Sequence, residues 1–297
     1  MKSWCPMPNL AVLRTLLREL TTFDLPDRVP EPDLIMDDPA KVAAYNEAGQ
    51  VDGVMAPVYL FHAANICEVI KPGDVVVDLA CGPANQLAMI ARLNPDSQFV
   101  GVDLSEPMLT RAHELVKRKA ITNVRFEVAD ITHVRSLSDG SVDAVVSTMA
   151  LHHLPTPEHL SRTFEEVKRI LKRGGGVYMV DFGHLKSEDS IQYFAHQYAD
   201  RQPELFTLDY LYSLRAAFSL RQFRDAGRVL DPLARLYSTF LAPYMVAFKS
   251  AVRRTPDAHL RARLDELRRA LPTYHRQDLR DLIMFFRLGG LRCGLLD

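Results

Sequence analysis

The stretch Val75-Val76-Val77-Asp78-Leu79-Ala80-Cys81-Gly82-Pro83-Ala84-Asn85 limits what this chain can fold into more than any other. Three consecutive β-branched apolar residues describe a strand buried on both faces, as inside a parallel sheet. Small residues follow at alternate places, Ala80, Gly82 and Ala84, and from Asn85 to Leu93 the apolar spacing turns helical. A strand, a tight turn of small residues and a helix N-terminus let backbone approach a ligand closely. A dinucleotide site would carry G-x-G-x-x-G and an acid about 20 residues later. Here the third glycine is missing and an acid, Asp78, precedes the turn. That arrangement suits a ligand with an ammonium group at the turn, and it leaves a nicotinamide dehydrogenase as the weakest alternative.

Two further short strands end in or near acids. Gln98 to Asp103 closes on a carboxylate placed to accept from both ribose hydroxyls, and Val124 to Ala129 leads to Asp130, placed to accept from an adenine amino group. Three such acids would line the carboxyl edge of one sheet, where open α/β folds bind ligands. Amine, ribose and adenine, in that order, describe S-adenosylmethionine.

The chain resembles the class I S-adenosylmethionine-dependent methyltransferases of the UbiE-like, type 11 group. The residues that carry the resemblance are the Asp78-x-Ala80-x-Gly82-x-Ala84 turn, Asp103 with Leu104 to Leu109, Asp130-Ile131, Asp143 through Ser147 to Pro155, and Leu171 to Gly176. Alanines stand at 80 and 84 where the family more often has glycine. The resemblance implies a Rossmann-like α/β fold, a doubly wound seven-stranded sheet of order 3-2-1-4-5-7-6 with its last strand antiparallel. It also implies that Asp78, with the backbone of Ala80 and Gly82, holds the methionyl ammonium. Asp103 would take the ribose and Asp130 the adenine amine, with Leu104, Met108 and Ile131 against the adenine faces and Ser147 on the cofactor side of the fourth strand. The product would be S-adenosylhomocysteine.

Hydrophobic periodicity divides the 297 residues into an N-terminal helical cap (1–70), a core (71–250) with a helical, lid-like insertion (184–218), and a C-terminal helical extension (251–297). Within the core the pattern predicts strands at 74–79, 98–103, 124–130, 141–147, 175–182, 235–241 and 244–249, with helices between, one of them at 156–172. The proline-rich stretch 23–39 reads as a linker. Net charge near −1 gives no reason to expect nucleic acid as a partner. No apolar run approaches the ~20 residues that span a bilayer, and the first residues lack a signal-peptide core. The four cysteines show neither paired nor zinc spacing. A cytoplasmic protein without a metal site is the expectation, and a homodimer stays open.

Methyl transfer from a sulfonium needs a nucleophile held on axis in a dry cavity, because the cofactor carries the activation. The expected acceptor is a small molecule, with O-methylation first and C- or N-methylation next. Candidate pocket residues are Tyr45, Met55 and Tyr59 from the leading helices, with Phe61 and His62, and Tyr193 and His196 from the aromatic insertion. His152 and His153, just after the fourth strand, are the first candidates for a general base, His152 foremost, though a helix-entry hydrogen bond better accounts for at least one of the two. Cys67 and Cys81 could in principle bind trivalent arsenic, but small packing residues account for both. A macromolecular acceptor (RNA or protein) and a non-catalytic S-adenosylmethionine binder remain as other classes.

Overall fold

The computed structural model describes residues 10–23, 25–32, 38–49, 53–255 and 257–296. Seven strands form one sheet: β1 (Val75–Leu79), β2 (Gln98–Asp103), β3 (Val124–Val128), β4 (Val142–Thr148), β5 (Leu171–Phe182), β6 (Ala234–Ser238) and β7 (Met245–Ser250). Their order is β3-β2-β1-β4-β5-β7-β6. The first five run parallel, and β7 is antiparallel to both β5 and β6. This is the Rossmann-like arrangement expected from the sequence. The β-branched run explains the position of β1: Val76 and Val77 are fully buried on opposite faces, so β1 must be central.

The helices are α1 (Leu10–Thr21), α2 (Pro39–Ala48), α3 (Ala56–Val69), α4 (Asn85–Leu93), α5 (Glu106–Arg118), α6 (Pro157–Ile170), α7 (Glu188–His196), α8 (Glu204–Ala216), α9 (Leu220–Gly227), α10 (Ala258–Ala270) and α11 (Thr273–Leu288). One sheet face packs with α3, α4, α5, α10 and α11, the other with α6 and α9. Helix α3 is apolar on nearly every side because it is covered on nearly every side, with Val58 alone of its residues not buried. Its C-terminal end lies directly on β5, where a Cβ at Gly176 would meet the Val69 carbonyl oxygen at 2.0 Å. Above it, Phe61 stacks on Phe286 of α11 with centroids 5.1 Å apart. The C-terminal helices thus complete the core over α3.

Three boundaries differ from the sequence reading. β5 begins at Leu171, not at 175, because Leu171 pairs with Val142 across a register irregularity; the helix expected to reach 172 stops at Ile170. β3 stops at Val128, leaving Asp130 in the following loop. β6 ends at Ser238, where the Thr239 hydroxyl donates to the Ala242 carbonyl at 2.7 Å and turns the chain. The expected linker is also partly built in: residues 25–32 cross the loop after β4, with Val29 N–H donating to Arg215 O at 3.0 Å.

Candidate active site

Above the carboxyl ends of β1, β2 and β4 lies a cleft of about 210 Å³. Its floor is the turn after β1, where Ala80, Gly82 and Ala84 have φ of +57°, +52° and +63°. For the two alanines this left-handed backbone costs about 1–2 kcal/mol each, strain of the kind that collects at functional sites. The turn exposes backbone to the cleft at Ala80, Cys81 and Gly82. Asp103 is fixed across it: its Oδ2 accepts Gly82 N–H at 2.8 Å and its Oδ1 accepts Ser105 N–H at 2.9 Å. A carboxylate has about four acceptor positions, so Asp103 can still receive a diol. Burial pushes its pKa above the usual range despite those amides.

Asp78 lies deeper, beneath the turn and 2% exposed. Burial first, and then the charge of Asp103, push it up to about 8. A cation nearby would restore its ionised form. At the far end of the cleft Leu104, Met108, Ala129, Asp130 and Ile131 form a largely apolar slot. Asp130 Oδ1 there accepts Thr132 N–H at 2.8 Å.

A second cavity, of about 320 Å³, opens beside the first, and Met149 and His153 line both. Met149 has φ +54°. The second cavity is walled by Met55 and Val58 at the start of α3, by Tyr193, Phe206 and Tyr210 of α7 and α8, and by Phe285 of α11. Burial pushes the Tyr210 phenol above its ordinary value, so Tyr210 serves as a neutral wall.

Two histidines enter this cavity from the short helical turn after β4. His152 Nδ1 is 2.6 Å from Asp181 Oδ1, and its backbone N–H donates to Asp181 Oδ2 at 2.7 Å. Its Nε2 lies 3.5 Å from Glu31 Oε1. His153 Nδ1 lies 3.0 Å from Glu31 Oε2, and the Ser213 hydroxyl donates to Glu31 at 2.8 Å. Burial opposes the ionised form of Glu31, yet His153, His152 and Ser213 together hold it at about 2. Burial likewise opposes the charged form of His152, but Asp181 and Glu31 outweigh it and raise its pKa.

Ala80, Gly82, Asp103, Leu104, Met108, Asp130 and Ile131 line the first cleft, with Asp78 just below them. Ser147 does not: it is fully buried in β4 and its hydroxyl donates to Leu79 O at 2.9 Å, so it braces the sheet. Met55 and Tyr193 line the second cavity, whereas Tyr59 lines the first. His196 is a correction, because it is exposed at the end of α7 with Nδ1 2.9 Å from Gln192 O, and it lines neither cavity. His62 is also buried in the core, its Nδ1 2.7 Å from the Tyr178 hydroxyl. The side chain of Tyr45 lies outside the described residues. His152, the candidate general base, lines the second cavity and is held between Asp181 and Glu31. Sequence reasoning missed Glu31, Asp181 and Arg28. Only proximity in space joins them to the histidines, since Glu31 comes from the stretch read as a linker.

The comparisons agree with this geometry. Residues 76–175 match the family model described as a methyltransferase domain. The chain therefore carries a class I S-adenosylmethionine-dependent methyltransferase domain. Among curated relatives, it is 32% identical over 113 residues to an arsenite methyltransferase of Halobacterium salinarum, covering 38% of this chain and 28% of that protein. It is 36% identical over 111 residues to a trans-aconitate 2-methyltransferase of Deinococcus radiodurans, covering 37% of this chain and 38% of the relative. The chain thus spans about a third of the length of the curated relatives it matches. The solved structure of the plantazolicin methyltransferase BpumL in complex with SAH superposes with a TM-score of 0.52 at 15% identity, covering 92% of this chain and 91% of that one. That likeness concerns the fold.

Proposed function

We propose that this protein transfers the methyl group of S-adenosylmethionine, by in-line displacement, to a small molecule held in the aromatic cavity. The observation that carries this reading is the pair of adjoining cavities with Met149 and His153 in the wall of both. A cofactor lying over the β1 turn with its adenine between Leu104 and Ile131 would direct its sulfonium toward that shared wall. Asp78 would receive the methionyl ammonium, Asp103 the ribose and Asp130 the adenine amine. A cavity of about 320 Å³ falls within the ~300–1,000 Å³ of small-molecule sites and is far too small for a folded macromolecule. Helices α7 and α8 act as its lid. Oxygen is the favoured acceptor atom, because charged and polar groups gather where the nucleophile would sit.

The arsenite relative does not extend to this chain's acceptor, because Cys67 and Cys293 are buried and burial pushes their thiols up to about 11 and 12. Cys81 is also pushed well above the usual thiol value, by burial and by Asp78 and Asp103. The reading includes a cytoplasmic location; among the described residues no helix is long and apolar enough to cross a membrane.

The test begins with calorimetric titration of S-adenosylmethionine and S-adenosylhomocysteine into wild type and Asp103→Ala. Micromolar binding, weakened about a hundredfold in the variant, is expected. Mass-spectrometric detection of S-adenosylhomocysteine formed with pools of hydroxylated and amine acceptors then separates an enzyme from a mere binder. Failure of a well-folded wild type to bind either nucleoside would end the proposal.

A further inference from the structure

We infer that Glu31, His152 and His153 form a binding site for a divalent transition-metal ion in the wall of the acceptor cavity. The three donor groups lie within 4.8 Å of one another. His152 Nε2 to Glu31 is 3.5 Å and His153 Nδ1 to Glu31 is 3.0 Å. Ligand atoms around a tetrahedral ion with bonds of ~2.0–2.1 Å stand roughly 3.3 Å apart. Both imidazole-to-carboxylate separations therefore already match a coordination shell, and the two imidazoles stand within 4.8 Å of each other.

The surroundings support the same assignment. Metal-bound histidines generally give their second ring nitrogen to a carboxylate, which fixes tautomer and direction. Asp181 does this for His152 at 2.6 Å, leaving Nε2 turned toward Glu31. Ser213 fixes Glu31 in turn. The charged groups facing the cluster are Glu31 from the N-terminal strap, Asp181 from the end of β5, Asp209 from α8, and Arg28. Three carboxylates face one guanidinium, so with both imidazoles neutral the site holds an excess of negative charge that a cation can balance. Both imidazoles would coordinate as neutral ligands, any proton they carried passing to solvent.

The donor set selects among ions. Two imidazoles and one carboxylate suit zinc and its neighbours, whereas magnesium and calcium prefer oxygen shells. Three protein ligands also leave a coordination position open, the pattern of catalytic rather than structural zinc. Both histidines line the acceptor cavity and His153 also faces the cofactor cleft. An acceptor hydroxyl at the open position would be acidified by the ion and could give its proton to solvent water, so no protein general base is required. That role rests on the methyl-transfer reading; the site itself does not.

The experiment uses tag-free full-length protein, stripped with a chelator and dialysed, and titrated with zinc chloride in two buffers of different ionisation enthalpy. One equivalent should bind, and any proton displaced from the ligands shows as a buffer-dependent heat. Glu31→Gln and His153→Gln should each weaken zinc by about a hundredfold or more. Titration of S-adenosylhomocysteine into Glu31→Gln serves as the check on folding, since Glu31 lies outside the cofactor cleft. Absence of stoichiometric zinc, or zinc bound equally by both variants, overturns the site. Zinc failing while S-adenosylhomocysteine binds removes the metal and leaves methyl transfer standing; the reverse result keeps the site and removes the methyl-transfer reading.

Discussion

Asp78 and Asp103 stand at the ends of neighbouring parallel strands, and the charge of Asp103 adds to burial in holding the Asp78 carboxyl at about 8. The unfolded carboxyl titrates near 3.8, so folding favours its protonated form. The associated stability is fully present below about pH 4 and is lost as pH rises toward 8, at about 1.4 kcal/mol per pH unit. A ligand ammonium reverses the preference, because the ion pair needs the carboxylate. Binding at pH 6 to 7.5 should therefore expel a proton, and affinity for S-adenosylhomocysteine should rise about tenfold per unit. Calorimetry across that range checks it, with Asp78→Asn expected to bind weakly and with a flat profile.

The opposite sign is expected from His62. Burial lowers its pKa to about 3 from 6.5, so the folded protein holds it neutral. Its stabilising contribution is present above pH 6.5 and is lost as pH falls toward 3, because the unfolded chain takes up the proton first. Between pH 6.5 and 5 the wild type should lose about 2 kcal/mol from this group. His62→Phe keeps an aromatic ring beside Phe61 and Phe286 and removes the titration. Chemical denaturation at several pH values should give a shallower acid slope for the variant, whatever its offset at neutral pH.

The sheet and the residues lining the cleft above β1 were legible because their signals are local. The Val75–Val77 run sets a central strand, and Asp78, Asp103 and Asp130 follow strand ends that periodicity alone can place. The second, aromatic cavity was not legible in the same way. Glu31 meets His153 only after residues 25–32 fold back over the loop following β4, and a stretch of prolines and acids carries no periodicity to announce that. Asp181 sits inside an apolar strand, where its bond to His152 is visible only in three dimensions. His196 misled for a similar reason: an aromatic neighbourhood in sequence does not say which side of α7 faces the cavity. Ser147 sits in the right strand but is committed to the Leu79 carbonyl.

A buried ion pair joins β7 to α3, and its lysine also reaches the C-terminal extension. Lys249 Nζ meets Glu68 of α3, with the two side chains 5% and 3% exposed, and also donates to Asn65 Oδ1 at 2.8 Å and Arg292 O at 3.0 Å. Lys249→Met leaves the Glu68 carboxylate buried without its partner, which should cost about 3–5 kcal/mol. Adding Glu68→Leu should recover most of that loss, since an apolar pair needs no compensating charge. Guanidinium unfolding followed by circular dichroism measures both variants; a double variant no more stable than the single would show that the pair is not the cause.

Arg28 is the pin of the N-terminal strap. Its Nε donates to Ala216 O at 2.6 Å, its Nη1 to Pro155 O at 2.8 Å, and its Nη2 to His152 O at 2.8 Å and Leu154 O at 2.7 Å. The guanidinium also lies 4.0 Å over the Phe218 ring. Burial lowers its pKa to about 10, against the pull of Asp181 and Glu31, so it stays charged at neutral pH. One planar fork therefore ties the strap to the histidine turn after β4 and to the end of α8. A lysine offers a single ammonium and cannot span four carbonyls in that geometry. Hydrogen bonds to a charged group are each worth about 1.5–3 kcal/mol; losing the set should free the strap locally while the sheet stays folded. For Arg28→Lys and Arg28→Ala, amide exchange in residues 25–32 and 152–155 should accelerate by roughly a hundredfold, with β1 amides as protected as in wild type. Because Glu31 rides on the same strap, its carboxylate would leave His153 in both variants. Unchanged exchange at 25–32 would mean that Val29 and Glu31 hold the strap without Arg28.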